Sequence, residues 1–252
     1  MPNLFIGTSG WVYKHWEGLF YPKETKEKLS YYAQFFNTVE INYSFYRLPS
    51  SSAFQKWYQK TPEDFLFSLK LNRYLTHIKR LKNIDEAWFN FIEKVSILKN
   101  KLGPILVQLP PNFKYNQATF KRIESFLRLV EKFHFTNFQN KVLLAFEVRH
   151  NSFKNKEFYK LLQKYHTALV ISDSSRWEKI VEPNLANFVY LRMHGPKELF
   201  ASNYSKKELN NFAQEIKRWL QDGLDVYCYF NNDIGGYALN NAQDLREMVC
   251  KE

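Results

Sequence analysis

Short apolar runs alternate along the whole chain with longer segments in which apolar residues recur at helical spacing. The apolar runs predict eight β-strands at 4–7, 38–42, 65–70, 105–109, 142–148, 168–172, 187–193 and 226–230. The longer segments predict helices near 25–36, 51–60, 86–100, 116–132, 156–165, 205–221 and 238–250. This alternation is typical of a parallel sheet with helices packed on its outside.

The fold class follows from the number of strands and the length of the chain. Eight strands that alternate with helices in about 250 residues favour a TIM-type (β/α)8 barrel over an open, doubly wound α/β sheet. An open sheet would be expected to carry a glycine-rich phosphate fingerprint after its first strand, and Gly7-Thr8-Ser9-Gly10-Trp11 lacks the third glycine. No linker, low-complexity tract or repeat interrupts the pattern, so we predict a single domain, 1–252.

Composition excludes several protein classes. The 252 residues are 45% hydrophobic and 24% charged, which is typical of a globular protein and not of a disordered one. No apolar run approaches the roughly 18 residues of a membrane span, and the first residues lack the basic start of a secretory signal. Cys228 and Cys250 are too few for a disulfide framework or a cysteine zinc site. We expect a cytoplasmic protein without a membrane partner or a cofactor.

Polar side chains gather where the predicted strands end. In a barrel of this type the C-terminal ends of the strands carry the chemistry, and side chains two apart on a strand share a face. The residues at or just after these ends are Thr8, Ser9, Trp11, Glu40, Asn42, Lys70, Gln108, Glu147, Arg149, His150, Asp173, Arg192, His194, Asn231, Asn232 and Asp233. We expect them to converge in one charged pocket at the top of the barrel.

The residue types in this set indicate an anionic ligand. Lys70, Arg149 and Arg192 would hold a phosphate or carboxylate and would repel a divalent cation, so we predict no obligatory metal. Glu147 or Glu40 would serve as the general base and His194 as an acid or base. Asp173 is a fourth catalytic candidate, and the other residues of the set are candidate ligand contacts. The first hypothesis is therefore a hydrolase or isomerase acting on a phosphorylated small molecule.

Structural interpretations of the same residues stay open. Glu40, Glu147, Arg149 and Arg192 would also neutralise one another if they formed buried ion pairs inside the barrel. The segment 231–233 has the composition of a simple turn.

A second function class is suggested by the charge of the protein. The formal net charge of +11 favours polyanions, and the loop 11–22 is rich in rings that would stack a base or sugar or else pack against the barrel rim. The alternative hypotheses are a nucleic-acid-binding protein and a metal-dependent nuclease similar to endonuclease IV. The sequence makes no prediction about the oligomeric state.

Motifs spread over nearly the whole chain resemble the YecE-like family, the domain of unknown function DUF72. They are Gly7-Thr8-Ser9-Gly10-Trp11, Thr38-Val39-Glu40-Ile41-Asn42, Phe67-Ser68-Leu69-Lys70, Gln108-Leu109-Pro110-Pro111, Glu147-Val148-Arg149-His150, Tyr190-Leu191-Arg192-Met193-His194-Gly195 and Tyr229-Phe230-Asn231-Asn232-Asp233. The resemblance implies a TIM-type barrel and implies no assigned reaction.

Overall fold

A computed structural model describes residues 2–137 and 141–251. Within these residues, nine parallel strands form one sheet. The strands are β1 (Leu4–Ser9), β2 (Thr38–Ile41), β3 (Leu66–Lys70), β4 (Leu102–Gln108), β5 (Leu144–Glu147), β6 (Ala168–Leu169), β7 (Ile171–Asp173), β8 (Phe188–Met193) and β9 (Asp225–Phe230). The helices are α1 (Lys28–Tyr32), α2 (Tyr43–Tyr46), α3 (Ser51–Gln59), α4 (Asp85–Val95), α5 (Gln117–Asn137), α6 (Lys156–Lys164), α7 (Lys206–Gln221) and α8 (Tyr237–Cys250).

The sheet forms a barrel in which its two edge strands, β6 and β7, are consecutive in the chain. The strand order is β6-β5-β4-β3-β2-β1-β9-β8-β7, and only Val170 separates β6 from β7. The N–H of Val170 donates to the carbonyl of Phe146, so the sixth predicted strand is one segment that pairs first with β5 and then with β8. The predicted α/β barrel of TIM type is confirmed, with strand six divided in two.

Helices follow most strands, as the alternation predicts, with local differences. The capping box at the start of α7 is present, with Ser205 and Glu208 satisfying each other's backbone N–H groups. The helix predicted at 86–100 ends at Val95 and continues as a 3₁₀ turn, Ser96–Lys101, in which Lys99 has a positive φ of 48°. The segment between β7 and β8 forms only a short 3₁₀ turn, Pro183–Leu185, in place of a helix.

Apolar side chains fill two separate regions. The larger core lies between the sheet and the helices and takes the outward side chains of the strands, such as Ile6, Val39 and Leu69. A smaller cluster fills the inside of the barrel, where Phe188, Tyr190, Tyr227 and Tyr229 are its largest members. Within the described residues, no helix is both long enough and apolar enough to span a membrane.

Candidate functional site at the C-terminal end of the barrel

A layer of polar side chains lies above the aromatic cluster inside the barrel. Every second side chain of a strand points into the barrel. Along the strands these inward side chains change from apolar residues to polar ones towards the C-terminal end. The residues of this polar layer are Ser9, Glu40, Lys70, Gln108, Glu147, Ser172, Arg192, His194 and Asn231. The convergence predicted from the strand ends therefore occurs for the core of the candidate set.

Arg192 lies at the centre of the layer and joins its two carboxylates. Its Nε and Nη2 donate to the two oxygens of Glu40 over 2.9 and 2.8 Å, and its Nη1 donates to Glu147 Oε2 over 2.7 Å. The side chain is only 1% exposed. We therefore revise the expected role of Arg192, because a guanidinium enclosed by two carboxylates positions those carboxylates and has no free face for a ligand.

Glu40 is buried and remains ionised through its partners. Ser9 Oγ donates to its Oε1 and the Tyr190 hydroxyl donates to its Oε2, each over 2.8 Å. Burial by itself raises the pKa of this carboxyl, but the Arg192 guanidinium and the hydrogen bonds outweigh burial and hold the pKa below its ordinary value.

Glu147 occupies the same position on the other side of Arg192. Its Oε1 accepts from Arg149 Nη2 and Ser172 Oγ, both over 3.2 Å. Burial acts to raise its pKa, and the Arg192 and Arg149 charges together hold the pKa well below its ordinary value. Both glutamates are buried with every oxygen occupied, so we revise their expected role as general bases to that of fixed negative charges.

His194 is buried beside Glu147 and is neutral at physiological pH. Its Nε2 lies 3.4 Å from Glu147 Oε1, and Asn231 Nδ2 lies 3.1 Å from its Nδ1. A neutral imidazole protonated on Nε2 fits both contacts, since Nε2 then donates to the carboxylate and Nδ1 accepts from the amide. Burial and the Arg192 charge lower the pKa of His194 to about 4.

Lys70 projects from the end of β3 without an anionic partner. Its Nζ lies 4.2 Å from the centre of the Phe45 ring, and no ion pair or hydrogen bond to this ammonium occurs among the described residues. Burial, followed by the charge of Arg192, lowers the pKa of Lys70 to about 7, although the two glutamates oppose the shift. The charge of Arg149, which lies just after the end of β5, lowers it as well.

Arg149 faces the same mouth with part of its hydrogen-bonding capacity unused. Its guanidinium lies over the Trp177 ring at 4.1 Å, and Nη2 also reaches Gln108 Oε1 at 3.3 Å. The Nε atom is buried without a partner among the described residues, and the side chain is 16% exposed. Arg149 is thus held in a fixed orientation while retaining capacity to contact a ligand.

Three residues of the site were missed from the sequence. Tyr190 lies two positions before Arg192, and this spacing already places it on the inward face of β8. Ser172 is the inward residue of β7, although the sequence-based choice fell on its neighbour Asp173. Trp177 lies in the irregular segment after β7, where no periodic signal marks it; its Nε1 donates to Ser172 Oγ over 2.9 Å.

The structure places Asp173 outside this layer. Because Ser172 points into the barrel, Asp173 next to it points out. Its Oδ2 accepts from the Tyr204 hydroxyl over 2.8 Å, and its Oδ1 pairs with Lys179 at 3.3 Å. It lines a separate cavity of about 310 Å³ against α7, so we withdraw Asp173 as a catalytic candidate of the central site.

Other candidate contacts have structural roles. The backbone N–H and the hydroxyl of Thr8 both contact the Tyr32 hydroxyl at 2.9 Å, on the outer side of the barrel wall. His150 caps the turn Asn151–Phe153 through the N–H of Ser152. The Thr8 hydroxyl and the His150 ring are therefore each engaged in a structural interaction.

The residues after β9 divide between structure and site. Asn232 is fully buried and donates to Ser202 O and Asn241 Oδ1. The carbonyl of Asp233 accepts from His15 Nε2 over 2.7 Å, which ties the loop after β9 to the loop after β1. Burial raises the pKa of the Asp233 carboxyl. Only Asn231 joins the polar layer directly, through His194.

The aromatic loop 11–22 is used mainly for packing. Trp16 and Tyr21 are buried, and Phe20 packs against Phe35 at 5.2 Å between ring centres. Trp11, by contrast, lies beside Asn42 in a groove at the ends of β1 and β2. The packing alternative therefore holds for most rings of the loop. Within the described residues, no three His, Cys, Asp or Glu side chains come together as metal ligands.

Comparison with known proteins identifies the family. The model of a family described as "Protein of unknown function DUF72" matches residues 5–252. The chain belongs to the DUF72 family. It is 25% identical to the UPF0759 protein YunF of Bacillus subtilis across 98% of this chain and 94% of that protein. It is also 30% identical over 110 residues to the UPF0759 protein YecE of Escherichia coli, which covers 44% of this chain and 39% of YecE.

A solved DUF72 structure has the same fold. The crystal structure of the DUF72 family protein TM1631 from Thermotoga maritima superposes with a TM-score of 0.85 and 26% sequence identity, covering 99% of this chain and 100% of that one. The predicted family resemblance is thereby confirmed. DUF72 membership establishes the barrel and leaves the activity to be inferred from the site itself.

Proposed function

We propose that this protein binds a small phosphate-bearing ligand at the mouth of the barrel, with Lys70 and Arg149 as the anion contacts. Charge balance supports this proposal. Glu40 and Glu147 carry two negative charges, which Arg192 and Arg149 offset, and a protonated Lys70 adds a positive charge that no ion pair neutralises among the described residues. An anion at the mouth relieves the repulsion that the Arg192 and Arg149 charges exert on the Lys70 ammonium.

The observation that carries this proposal is that two cations at the same end of the barrel, Lys70 on β3 and Arg149 after β5, both have unused donors. The Lys70 ammonium has no hydrogen-bonding partner in the described part of the chain, and the Nε of Arg149 is buried without one. A buried donor without a partner costs about 1–3 kcal/mol, so a ligand that supplies an acceptor recovers that free energy. Burial, followed by the charges of Lys70 and Arg149, lowers the pKa of His77 to about 4, and the charges of Arg73 and Arg80 add to this effect.

Lys70 is also the group best placed to move a proton. A pKa of about 7 lets the amine accept or donate a proton at neutral pH, whereas Glu40, Glu147 and Arg192 are buried and keep their charge. In the proposed hydrolysis or isomerisation, Lys70 would act at the ligand, while Arg192 would position the two carboxylates beneath it.

The test is calorimetric titration with inorganic phosphate and with a sugar phosphate at constant ionic strength. Loss of a charged hydrogen bond in Arg149→Met should weaken binding about tenfold or more. Arg128→Met is the matched control, because Arg128 is exposed on α5 and pairs only weakly with Glu124. Equal affinities of Arg149→Met and Arg128→Met would refute the proposal.

The surface around the mouth favours a second candidate, binding of a single-stranded nucleic acid. Large apolar side chains are exposed on segments that follow the ends of five strands. They are Val12, Leu19, Tyr43, Tyr46, Tyr74, Ile78, Val181 and Ile234. Three of them, Tyr43, Tyr46 and Tyr74, have rings that would stack bases, and the net charge of +11 would attract the phosphates. Titration with an oligonucleotide at two salt concentrations tests this candidate, because affinity without salt dependence contradicts phosphate contacts.

A further inference from the structure

A groove lined by rings opens at the ends of β1 and β2, beside the polar layer. Its volume is about 360 Å³, and its principal walls are Trp11, Tyr13, Tyr43 and Trp57. Trp11 and Trp57 contact each other edge to face, with 5.3 Å between ring centres, so they form a fixed corner of the groove. Tyr43 also lines the groove and is 57% exposed.

Asn42, one of the residues that line this groove, has a side-chain oxygen without a partner among the described residues. Asn42 Oδ1 is buried and accepts no hydrogen bond among the described residues. A buried amide oxygen left in this state is unfavourable, and an N–H donor from a bound molecule would satisfy it. The groove therefore combines ring faces for stacking with one acceptor for a donor at the edge of the stacked group.

The groove adjoins the proposed anion site. Tyr43 lines the groove, and Phe45, two residues further along α2, lies under the Lys70 ammonium. Ser44 between them donates to the carbonyl of Lys70 over 2.7 Å, which fixes α2 against the end of β3. A ligand with a ring in the groove could thus extend a charged group towards Lys70.

We infer that the groove binds the base of a nucleoside monophosphate whose phosphate lies on Lys70 and Arg149. This inference rests on the proposed anion site and adds the class of ligand. A heterocyclic base offers a flat face to Tyr43 and the tryptophans, and an exocyclic amine at its edge donates to Asn42 Oδ1. A sugar phosphate without a base leaves both features of the groove unused.

The experiment compares adenosine monophosphate, ribose 5-phosphate, inorganic phosphate and adenosine by calorimetric titration of the full chain. Adenosine monophosphate should bind about fivefold or more tightly than ribose 5-phosphate, the lower end of what base–aromatic stacking contributes. Tyr43→Ala should remove that advantage and leave inorganic phosphate unaffected. Tyr46→Ala is the matched control, because Tyr46 belongs to the same helix, is 69% exposed and does not line the groove.

The outcomes separate this inference from the proposed function. If phosphate binds but adenosine monophosphate binds no more tightly than ribose 5-phosphate, the base site is refuted and the anion site stands. If adenosine binds as tightly as adenosine monophosphate, in a Tyr43-dependent manner, and inorganic phosphate does not bind, the anion site is refuted. The nucleoside monophosphate is then refuted as the ligand as well. An equal effect of Tyr43→Ala and Tyr46→Ala would also overturn the inference.

Discussion

Replacing Arg192 with methionine tests the arrangement of charges inside the barrel. Methionine has a comparable length and no charge, so the substitution removes three short hydrogen bonds without leaving a large cavity. Glu40 then has only Ser9 and Tyr190 as partners, whereas Glu147 keeps Arg149. Breaking a buried ion pair from one side costs about 3–5 kcal/mol, a large part of the roughly 5–15 kcal/mol that stabilises a typical domain.

Urea unfolding at pH 7 measures this loss, and Glu40→Gln in the same background tests its cause. If the cost comes from the uncompensated carboxylate, the Glu40→Gln/Arg192→Met double variant should recover part of the lost free energy of unfolding. Arg218→Met, on the exposed face of α7, is the matched arginine control and should change the free energy by less than about 0.5 kcal/mol.

The pH dependence of the loss has a defined sign. In the native protein Arg192 holds the pKa of Glu40 below its ordinary value of 4.5, so this stabilisation is present above that pH and is lost as the pH falls through the folded-state pKa. Without Arg192, burial raises the pKa of the Glu40 carboxyl, and protonation of this carboxyl at lower pH removes the unfavourable buried charge. The difference in free energy of unfolding between the native protein and Arg192→Met should therefore decrease from pH 7 to pH 5. A difference that does not change with pH, or a loss below about 1 kcal/mol at pH 7, refutes the reasoning.

Three further predictions concern single groups. Phosphate affinity should fall as the pH rises through about 7, because Lys70 loses its charge, and Lys70→Arg should flatten this dependence in calorimetric titrations. The His194 imidazole should remain neutral down to about pH 5 in an NMR titration, and a His194 pKa near 6.5 would contradict the buried environment. Gly7→Ala should destabilise the fold by about 3 kcal/mol in urea unfolding, because the added Cβ would lie 2.1 Å from the carbonyl oxygen of Thr38; an unchanged midpoint would contradict the close approach of β1 and β2.

The sequence predicted the barrel well because its signals are local and repeated. Each strand is a short apolar run, the longer helices carry their own period, and α3, α6 and α7 also have a side-chain N-cap, so an error in one element leaves the others intact. The split of strand six at Val170 left no such signal. It follows from pairing with two different neighbours, β5 and β8, which a linear pattern does not record.

The polar layer was predictable for the same reason that the strands were. A side chain two positions after an inward residue also points inward, so Glu40, Lys70, Glu147 and Arg192 were recognisable at the strand ends. An uncertainty of one residue in a strand end reverses the direction of a side chain, and this explains why Asp173 was chosen where Ser172 faces the barrel.

Which residues are available near the mouth, and that the barrel brings them together there, could be read from the amino-acid sequence. How their charges are shared became apparent from the folded protein. Arg192 forms ion pairs with Glu40 and Glu147, while Lys70 and Arg149 keep unused donors. The physical reason is that a pKa, an ion pair or an unpaired donor depends on distance and burial, and both are set by strands far apart along the chain.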